Sequence, residues 1–160
     1  FIKYSFAEPV KKISKVLFSL SDNQLNGNYK EIKDERWNLS PREIMQRLGT
    51  EFGQYYIYKL FPELKGKIKE KELWLEPFKS FLEQNKGKKI VIADLRFKHE
   101  YEFLKSYLFN IIKVERNTNL VDLHPSENEF KYFKSDFIIN NNKSKIELYN
   151  KIDTIIEVPF

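Results

Sequence analysis

The sequence predicts an α/β protein, a three-layer fold in which a mostly parallel sheet is covered by helices on both faces. Two features predict this class. Short apolar runs alternate along the chain with longer segments whose apolar residues recur three or four positions apart. The short runs are apolar at successive positions, which is typical of strands buried on both faces of a parallel sheet.

The first half of the chain is predicted to hold one strand and three helices. In order these are a strand over 1–6, a helix from Pro9, a polar loop over 21–39 with about one helical turn, a helix after Ser40, a charged connector over 64–72 and a helix over 72–85. The apolar face of the helix from Pro9 is predicted to carry Val10, Ile13, Val16, Leu17 and Leu20. Ser40 and Glu43 form a capping box around Pro41, whereas Gly49 and Gly53 weaken the later half of that helix.

The second half is predicted to alternate strands with helices. In order these are a buried strand over 89–93, a helix over 98–108, a strand over 110–114, a lid-like loop over 117–127, a strand over 133–139 and a helix after Ser144. Ser144 and Glu147 form a second capping box. Nothing marks a boundary, so residues 1–160 are predicted to form a single domain. Right-handed crossovers are expected to bring the loops after the strands around one crevice.

The composition favours some partners and excludes some kinds of site. The chain has 160 residues, a net charge of +5, no Cys and two His. The absence of Cys excludes disulfides and thiolate metal sites, and two His argue against a His-rich zinc site. The positive charge favours polyanionic or phosphorylated partners, although a lysine-rich composition from AT-rich codons explains it equally well. No apolar run approaches the roughly 18 residues of a membrane span, so no membrane partner is expected.

Asp94 and Arg96 follow the predicted strand over 89–93, at the edge where parallel sheets bind ligands. Position alone leaves two interpretations open. In the first, Asp94 holds a hydrated Mg²⁺ or the lysine of a phosphate-binding loop, and Arg96 forks onto a phosphate. In the second, the two residues form a salt bridge that ends the strand.

Two earlier regions carry side chains suited to anions and bases. Lys11 lies near a helix N-terminus, where free N–H groups and the helix dipole favour anions. Lys30 and Trp37 lie in the polar loop, where a cation and an aromatic ring would clamp a phosphate and a base. Ordinary solvated surface is the alternative interpretation for both regions.

The helix after Ser40 and the lid-like loop carry further candidates. Arg42, Gln46 and Gly49 share one helix face, and Gln46 and Arg47 offer hydrogen bonds to a nucleobase or a phosphate. An exposed helix surface is the alternative. Arg116 ends a strand and opens the loop over 117–127, and phosphoryl transfer requires both closure and positive charge at the transferred group.

The sequence lacks one motif that this chemistry needs. A nucleotide kinase of this architecture carries GxxxxGK[ST] after its first strand, because the backbone N–H groups of that loop cradle phosphates. None of the five glycines fits the motif. The chain begins with Phe1 rather than Met, so it is expected to be either processed or the visible part of a longer chain.

Seven segments nevertheless resemble, in order, the motifs of deoxynucleoside monophosphate kinases of large DNA phages and viruses. They are YSFAEPVKK (4–12), YKE (29–31), SPREIMQRLGTEF (40–52), IADLRFKHE (92–100), VER (114–116), HPSE (124–127) and DFIINNN (136–142). Animal phosphomevalonate kinase is a more distant relative. The resemblance implies a P-loop nucleoside monophosphate kinase-like fold without its first P-loop strand and helix. It also implies ATP and Mg²⁺ as cofactors and a deoxynucleoside monophosphate as substrate.

The resemblance further implies roles for individual residues. Lys11 and Lys30 would contact the acceptor's phosphate, and the helix after Ser40 would line the nucleoside pocket with Arg42, Gln46, Arg47, Gly49 and Thr50. Asp94 (contacting Mg²⁺ indirectly, through water) and Arg96 would lie by the transferred phosphoryl group, Arg116 would contact the donor, and Glu127 would order the far side of the lid. Trp37 joins the substrate-binding candidates by its position in the polar loop alone.

The predicted function is therefore phosphoryl transfer from ATP to a deoxynucleoside monophosphate, giving a deoxynucleoside diphosphate and ADP. The alternative is a kinase-fold paralogue without phosphoryl transfer that binds nucleotides or nucleic acid in its basic crevice, within a viral assembly. A homodimer, and a location in the cytoplasm of a host cell or in a virion, are expected as well.

Overall fold

The structure is a computed structural model that describes residues 1–117, 129 and 133–157. The chain divides into two compact units, Phe1–Leu95 and Arg96–Phe160.

The first unit combines one pair of parallel strands with five α-helices. Its elements are β1 (Ile2–Tyr4), α1 (Ala7–Leu17), α2 (Asp22–Asn26), α3 (Pro41–Gln46), α4 (Ile57–Leu60), α5 (Leu75–Gln84) and β2 (Ile90–Ile92). One 3₁₀ turn, Asn28–Glu31, follows α2, and a second, Pro62–Leu64, follows α4. In the parallel pair, Ile2 lies opposite Ile90.

A continuous helix runs from α3 to α4 through a ten-residue π-helical segment, Arg47–Tyr56. The predicted capping box starts it, because Glu43 N–H donates to Ser40 Oγ and Ser40 N–H donates to the Glu43 carboxylate. Trp74 lies so close to Gly53 that a Cβ at residue 53 would overlap the indole. Trp74 Nε1 also donates to the Gly49 carbonyl at 2.7 Å. The two glycines that weaken the predicted helix therefore adjoin this indole, and the helix continues past them.

Two groups of side chains form the core of the first unit. Leu20, Leu25 and Ile44 pack together and join the turn after α1 to α2 and α3. Beside β1, the fully buried Phe78 of α5 packs against the rings of Phe6 and Tyr4 at centroid distances of 5.2 and 4.7 Å. Buried aromatic rings remove a large apolar area from water, so these contacts hold β1 against α5.

The first unit departs from its prediction in two places. Val16 and Leu17 are exposed, at 80% and 62%, rather than part of the apolar face of α1. The helix ends at Leu17 and Ser19 has a positive φ of 48°, so Leu20 reaches the core from the following turn. The segment over 21–39 is also more ordered than predicted, because Ser21 starts α2 with a capping box of its own.

The second unit contains the other two parallel strands. Its elements are α6 (Lys98–Ser106), β3 (Ile112–Glu115), β4 (Phe137–Asn140) and α7 (Lys145–Ile156), and Ile112 lies opposite Phe137. The predicted capping box of Ser144 with Glu147 starts α7. Before β4, Asp136 accepts hydrogen bonds from Ile111 N–H at 2.7 Å and from Lys105 Nζ at 3.0 Å, and these lower the pKa of its carboxyl group.

The interleaved helices and the two parallel pairs confirm the α/β class. The strands of the described chain pair two by two, β1 with β2 and β3 with β4, rather than in one sheet. The prediction that the strand over 89–93 is buried on both faces is wrong: Val91 is exposed, because no element of the described chain covers the face of β2 to which it points. The single domain stays a prediction. Among the helices that the structure describes, none has the length and apolar character of a membrane span.

Candidate active site

Asp94 lies just after β2 and binds the segment that joins β1 to α1. Ser5 Oγ donates to Asp94 Oδ2 at 2.6 Å, Ala7 N–H donates to the same oxygen at 2.9 Å, and Phe6 N–H donates to Oδ1 at 3.1 Å. The residue at the start of α1, Phe6, supplies no side-chain cap. Asp94 therefore caps α1 from a distant part of the chain, a role that neither interpretation of its sequence position includes.

This contact changes how the start of α1 can bind an anion. The first N–H groups of a helix lack partners within the helix and attract negative charge. Here the N–H groups of Phe6 and Ala7 donate to Asp94, and that of Glu8 donates to the Ser5 carbonyl at 3.1 Å. The protein supplies its own carboxylate at this position, so a phosphate beside α1 must be held by lysine side chains rather than by these N–H groups.

The carboxylate of Asp94 fits the predicted indirect contact with Mg²⁺ better than direct ligation. An ionised carboxylate offers about four acceptor positions, and three are occupied by the donors from Ser5, Phe6 and Ala7. The remaining position, on Oδ1, suits a water molecule from a hydrated ion. Within residues 1–117, 129 and 133–157, no group of three or more His, Asp or Glu side chains is arranged to hold a metal directly.

Three of the predicted substrate-binding cations surround one short segment, Asn26–Glu31. Lys11 Nζ of α1 donates to Asn26 Oδ1 at 2.6 Å, at the end of α2. Arg42 of α3 forms an ion pair with Glu31 at the other end of the segment. Lys30 belongs to the segment itself, within the 3₁₀ turn. Three positively charged residues that lie up to 31 positions apart in the sequence thus contact this six-residue segment or belong to it.

The remaining pocket candidates lie where α3 passes into the π-helical segment. Gln46 is the last residue of α3, and Arg47, Gly49 and Thr50 lie in the first turns of that segment. A Cβ at Gly49 would lie 3.6 Å from a Val10 methyl group, so this face adjoins α1 next to Lys11. Such π-helical segments are rare and often occur at functional sites.

Trp37 is held in place by contacts within the protein. Its indole N–H donates to the Phe18 carbonyl at 3.0 Å, and its ring packs edge-on against the Phe18 ring at 5.3 Å. The guanidinium group of the neighbouring Arg36 donates two hydrogen bonds to the Asp34 carboxylate, from Nε to Oδ1 at 2.9 Å and from Nη2 to Oδ2 at 2.6 Å. These bonds lower the pKa of the Asp34 carboxyl group. Trp37 still exposes 41% of its surface, so part of the ring remains accessible to a ligand.

Arg96 begins the second unit on a turn that a buried carboxylate stabilises. The N–H groups of Arg96 and Phe97 both donate to Glu100 Oε2 at 3.0 Å. Glu100 is 5% exposed and fixes the backbone from which the exposed Arg96 side chain extends. Sequence reasoning missed this role of Glu100, because no Ser, Thr, Asp or Asn stands three residues before it to complete a capping-box pattern.

Arg116 directly follows β3, where the ends of β3 and β4 are joined. Asn141 N–H donates to the Glu115 carbonyl at 2.7 Å, and Asn117 N–H donates to Asn142 Oδ1 at 2.7 Å. The loops after these two strands therefore meet within the second unit, as parallel pairing predicts. The predicted lid beyond Asn117, with Glu127, lies outside the described residues.

Ser5 is a second site residue that sequence reasoning missed. It follows β1 directly, in the position that Asp94 and Arg96 occupy after β2, and its hydroxyl donates to Asp94. The rule that directed attention to the end of β2 applies equally to the end of β1. The position of Ser5 directly after a strand was therefore the sequence signal that could have identified it.

The arrangement of these residues can be compared with known proteins. The family model described as deoxynucleotide monophosphate kinase matches residues 2–152. The chain belongs to the deoxynucleotide monophosphate kinase family. The predicted resemblance is thereby confirmed, and the matched range includes Lys11, Lys30, Arg42, Asp94, Arg96 and Arg116.

Two relatives illustrate the family's range. The chain is 36% identical over 164 residues to a protein of Acanthamoeba polyphaga mimivirus whose name places it among the deoxynucleotide monophosphate kinases, with 98% of this chain and 83% of that protein covered. It is 27% identical over 153 residues to the deoxynucleoside-5'-monophosphate kinase of Escherichia phage T5, with 86% of this chain and 53% of that protein covered. The chain thus spans about half the length of the phage relative. No solved structure matches the chain.

Proposed function

We propose that the protein transfers the γ-phosphoryl group of ATP to a deoxynucleoside monophosphate. An oxygen of the acceptor's phosphate bonds to the γ-phosphorus, and the bond from that phosphorus to the β–γ bridging oxygen breaks. The products are a deoxynucleoside diphosphate and ADP. Family membership supports a kinase that acts on nucleotides, and the acceptor, the donor and the products are the finer part of the proposal.

The observation that carries the proposal is the grouping of Lys11, Lys30 and Arg42 around the segment Asn26–Glu31. An acceptor phosphate carries about two negative charges and several acceptor oxygens, so it needs cations that converge. In this reaction the protein contributes chiefly positioning and charge neutralisation. In the proposed complex the three cations, held on α1, the 3₁₀ turn and α3, would converge on the acceptor phosphate, and Gln46, Arg47, Gly49, Thr50 and Trp37 would line the nucleoside pocket beside them.

The other residues would act on the transferred group and the donor. Arg96 would stabilise charge on the transferred phosphoryl group, and Arg116 would contact the donor nucleotide. Asp94 would position the start of α1 and accept a hydrogen bond from a water bound to Mg²⁺. When bound, Mg²⁺ neutralises negative charge on the donor's phosphates. The homodimer and the cellular location remain predictions.

The proposal is tested by ADP release from purified protein that includes any residues encoded upstream of Phe1. ATP, Mg²⁺ and each of the four deoxynucleoside monophosphates are supplied in turn. ADP is expected with at least one acceptor and at background level without an acceptor. Arg96→Ala should lower kcat by about 10²- to 10³-fold, the usual loss on removing one group that stabilises transition-state charge.

Lys98→Ala is the matched control. Lys98 lies two residues from Arg96, is exposed and pairs only loosely with Glu102 at 3.6 Å, so its removal should leave turnover unchanged. Lys11→Ala should chiefly raise the KM for the acceptor. Wild-type protein that releases no ADP with any of the four acceptors would refute the proposed reaction, and an unchanged kcat in Arg96→Ala would refute the role of Arg96.

A further inference from the structure

The end of the π-helical segment, α4 and the loop that follows them carry an exposed surface that the proposed reaction does not use. Large apolar side chains cluster there, and four of them are about half exposed: Tyr55 at 49%, Tyr56 at 55%, Leu60 at 63% and Phe61 at 53%. Contiguous exposed groups of this kind often mark interaction sites. None of these residues belongs to the loops that follow the strands.

Two lysines lie over the tyrosine rings, one over each. Lys59 Nζ lies 4.8 Å from the centroid of the Tyr56 ring, and Lys71 Nζ lies 5.4 Å from that of Tyr55. The loop that carries Lys71 is fastened to the helix, because the hydroxyl of the buried Tyr58 donates to the Lys69 carbonyl at 3.1 Å. We call the surface formed by Tyr55, Tyr56, Lys59, Lys65, Lys67 and Lys71 the tyrosine–lysine surface.

Within the part of the chain that the structure describes, some lysines of the first unit pair with carboxylates, and others, including those of this surface, do not. Lys15 and Lys79 of α1 and α5 pair with Asp22 and Glu76, each at 2.6 Å. Across the described chain, Lys59, Lys65, Lys67 and Lys71 have no carboxylate within ion-pair distance. Lys65 and Lys67 line an open cavity of about 530 Å³ together with Lys69 and Glu70. The positive charge of the four lysines is therefore available to an external anion.

We propose that the tyrosine–lysine surface binds single-stranded nucleic acid. Exposed aromatic rings stack on unpaired bases, and neighbouring cations neutralise the phosphates that connect those bases. The surface offers both within one stretch of 17 residues, from Tyr55 to Lys71. A base that stacks on the lysine-covered face of either ring would displace the amine from that face, and the displaced amine would then neutralise the phosphate attached to that base.

The same features disfavour two other occupants. Bases in a duplex are paired and stacked on one another, so their faces are not available to tyrosine rings, and duplex binding would depend on charge alone. An acidic peptide would satisfy the lysines but would leave the rings without stacking partners. The tyrosines therefore distinguish a single strand from both alternatives.

The test uses fluorescence anisotropy with a labelled oligothymidine of about 20 nucleotides, together with a duplex of equal length and polyglutamate as competitors. If each of the four lysines neutralises one phosphate, the logarithm of the affinity should fall linearly with the logarithm of the salt concentration. The expected slope is about −2.8, because each neutralised phosphate of a single strand contributes about −0.7. Lys59→Gln/Lys71→Gln should reduce that slope by about 1.4. Tyr55→Ala and Tyr56→Ala should each weaken binding at least about fivefold.

Matched controls separate this surface from general charge and general aromatic exposure. Lys15→Gln/Lys86→Gln removes two exposed, paired lysines elsewhere in the first unit, and Tyr149→Ala removes a tyrosine that is 58% exposed on α7. Both should bind the oligonucleotide with unchanged affinity, apart from the small loss due to net charge. Circular dichroism should show that all variants remain folded, because the substituted side chains are exposed.

Three results would overturn the proposal. The first is an equal effect of the surface variants and their controls. The second is displacement of the oligonucleotide by duplex or polyglutamate as readily as by unlabelled oligothymidine. The third is a change of mass on gel filtration in Tyr56→Ala, which would assign the surface to contact between copies of the chain. ADP release by the wild-type protein bears on none of these results, so the two proposals fail independently.

Discussion

Replacement of Asp94 by Ala tests whether this residue holds the first unit together at the start of α1. The substitution removes the acceptor of three hydrogen bonds, from Ser5 Oγ at 2.6 Å, Ala7 N–H at 2.9 Å and Phe6 N–H at 3.1 Å. It leaves the packing of Phe6 against Phe78 in place. The loss should therefore come from the hydrogen bonds and the cap rather than from a cavity.

The magnitude follows from the kind of bond that is lost. A hydrogen bond to a charged group contributes about 1.5–3 kcal/mol, and loss of an N-cap costs about 0.5–2 kcal/mol. Asp94 is half-buried and water can reach part of the vacated space, so the three contributions are not additive. We expect Asp94→Ala to lower the free energy of unfolding by about 2–4 kcal/mol. Asp94→Asn, which keeps one acceptor oxygen, should lose about half of that.

Urea unfolding followed by tryptophan fluorescence is the appropriate assay. Both tryptophans of the chain, Trp37 and Trp74, lie in the first unit, so their emission reports the unit that Asp94 caps. With an m-value of about 2 kcal/mol per molar urea, the expected loss lowers the midpoint by about 1–2 M. The m-value should not change, because the unfolded surface area stays the same.

Asp22→Ala is the control for this experiment. Asp22 also forms a short contact, at 2.6 Å to Lys15, but its side chain is 79% exposed, so its loss should cost under about 1 kcal/mol. Ser5→Ala combined with Asp94→Ala should show a coupling energy of about 1 kcal/mol. If Asp94→Ala and Asp22→Ala unfold at the same urea concentration, the proposed cap does not stabilise the unit.

Two further predictions concern the same unit. Gly53→Ala should lower the free energy of unfolding by about 1–3 kcal/mol, because its Cβ overlaps the Trp74 indole. In Gly49→Ala the nearest neighbour of the new Cβ is a Val10 methyl group at 3.6 Å, so this variant should be neutral or stabilising by up to about 1 kcal/mol. Equal urea midpoints for the two variants would contradict the close approach of Gly53 to Trp74. Burial, with the nearby carboxylates Asp94 and Glu8, raises the pKa of the Tyr4 hydroxyl from 10.0 to about 12. Tyr4 therefore contributes stability that is fully present below pH 10 and is lost as the pH rises through 12. The buried Tyr4 hydroxyl has no hydrogen-bond partner in the described chain, so Tyr4→Phe should unfold at the same urea concentration as wild type at pH 7. Between pH 10 and 12 the variant should lose less stability than wild type in urea titrations. A loss of stability in Tyr4→Phe at pH 7 would contradict this account.

Local patterns in the sequence predicted local structure well. The capping boxes at Ser40 and Ser144 depend on residues three positions apart, and both form as predicted. The same pattern at Ser21 and Gln24 was present in the sequence but overlooked, because the polar composition of 21–39 favoured a loop. Alternation of apolar runs with helical segments predicted parallel strand pairs, and both pairs form.

Predictions of burial were weaker, because burial depends on what covers a side chain. Periodicity extended the apolar face of α1 to Val16 and Leu17, but the helix ends at Leu17 and leaves them exposed. The apolar run of β2 predicted two covered faces, whereas Val91 is exposed beside a single neighbouring strand. A pattern of residue types records which side chains favour burial and does not state which neighbours are available.

The sequence by itself determined the family, the helix starts and the kinds of side chain available for phosphate chemistry. Only the tertiary structure decided which of these side chains meet. It placed Lys11 and Arg42 at the two ends of the segment Asn26–Glu31, and it gave the carboxylate of Asp94 to the start of α1, 87 positions away at Ala7. Contacts of this range depend on how strands and helices pack against one another, and no spacing along the chain encodes that packing directly.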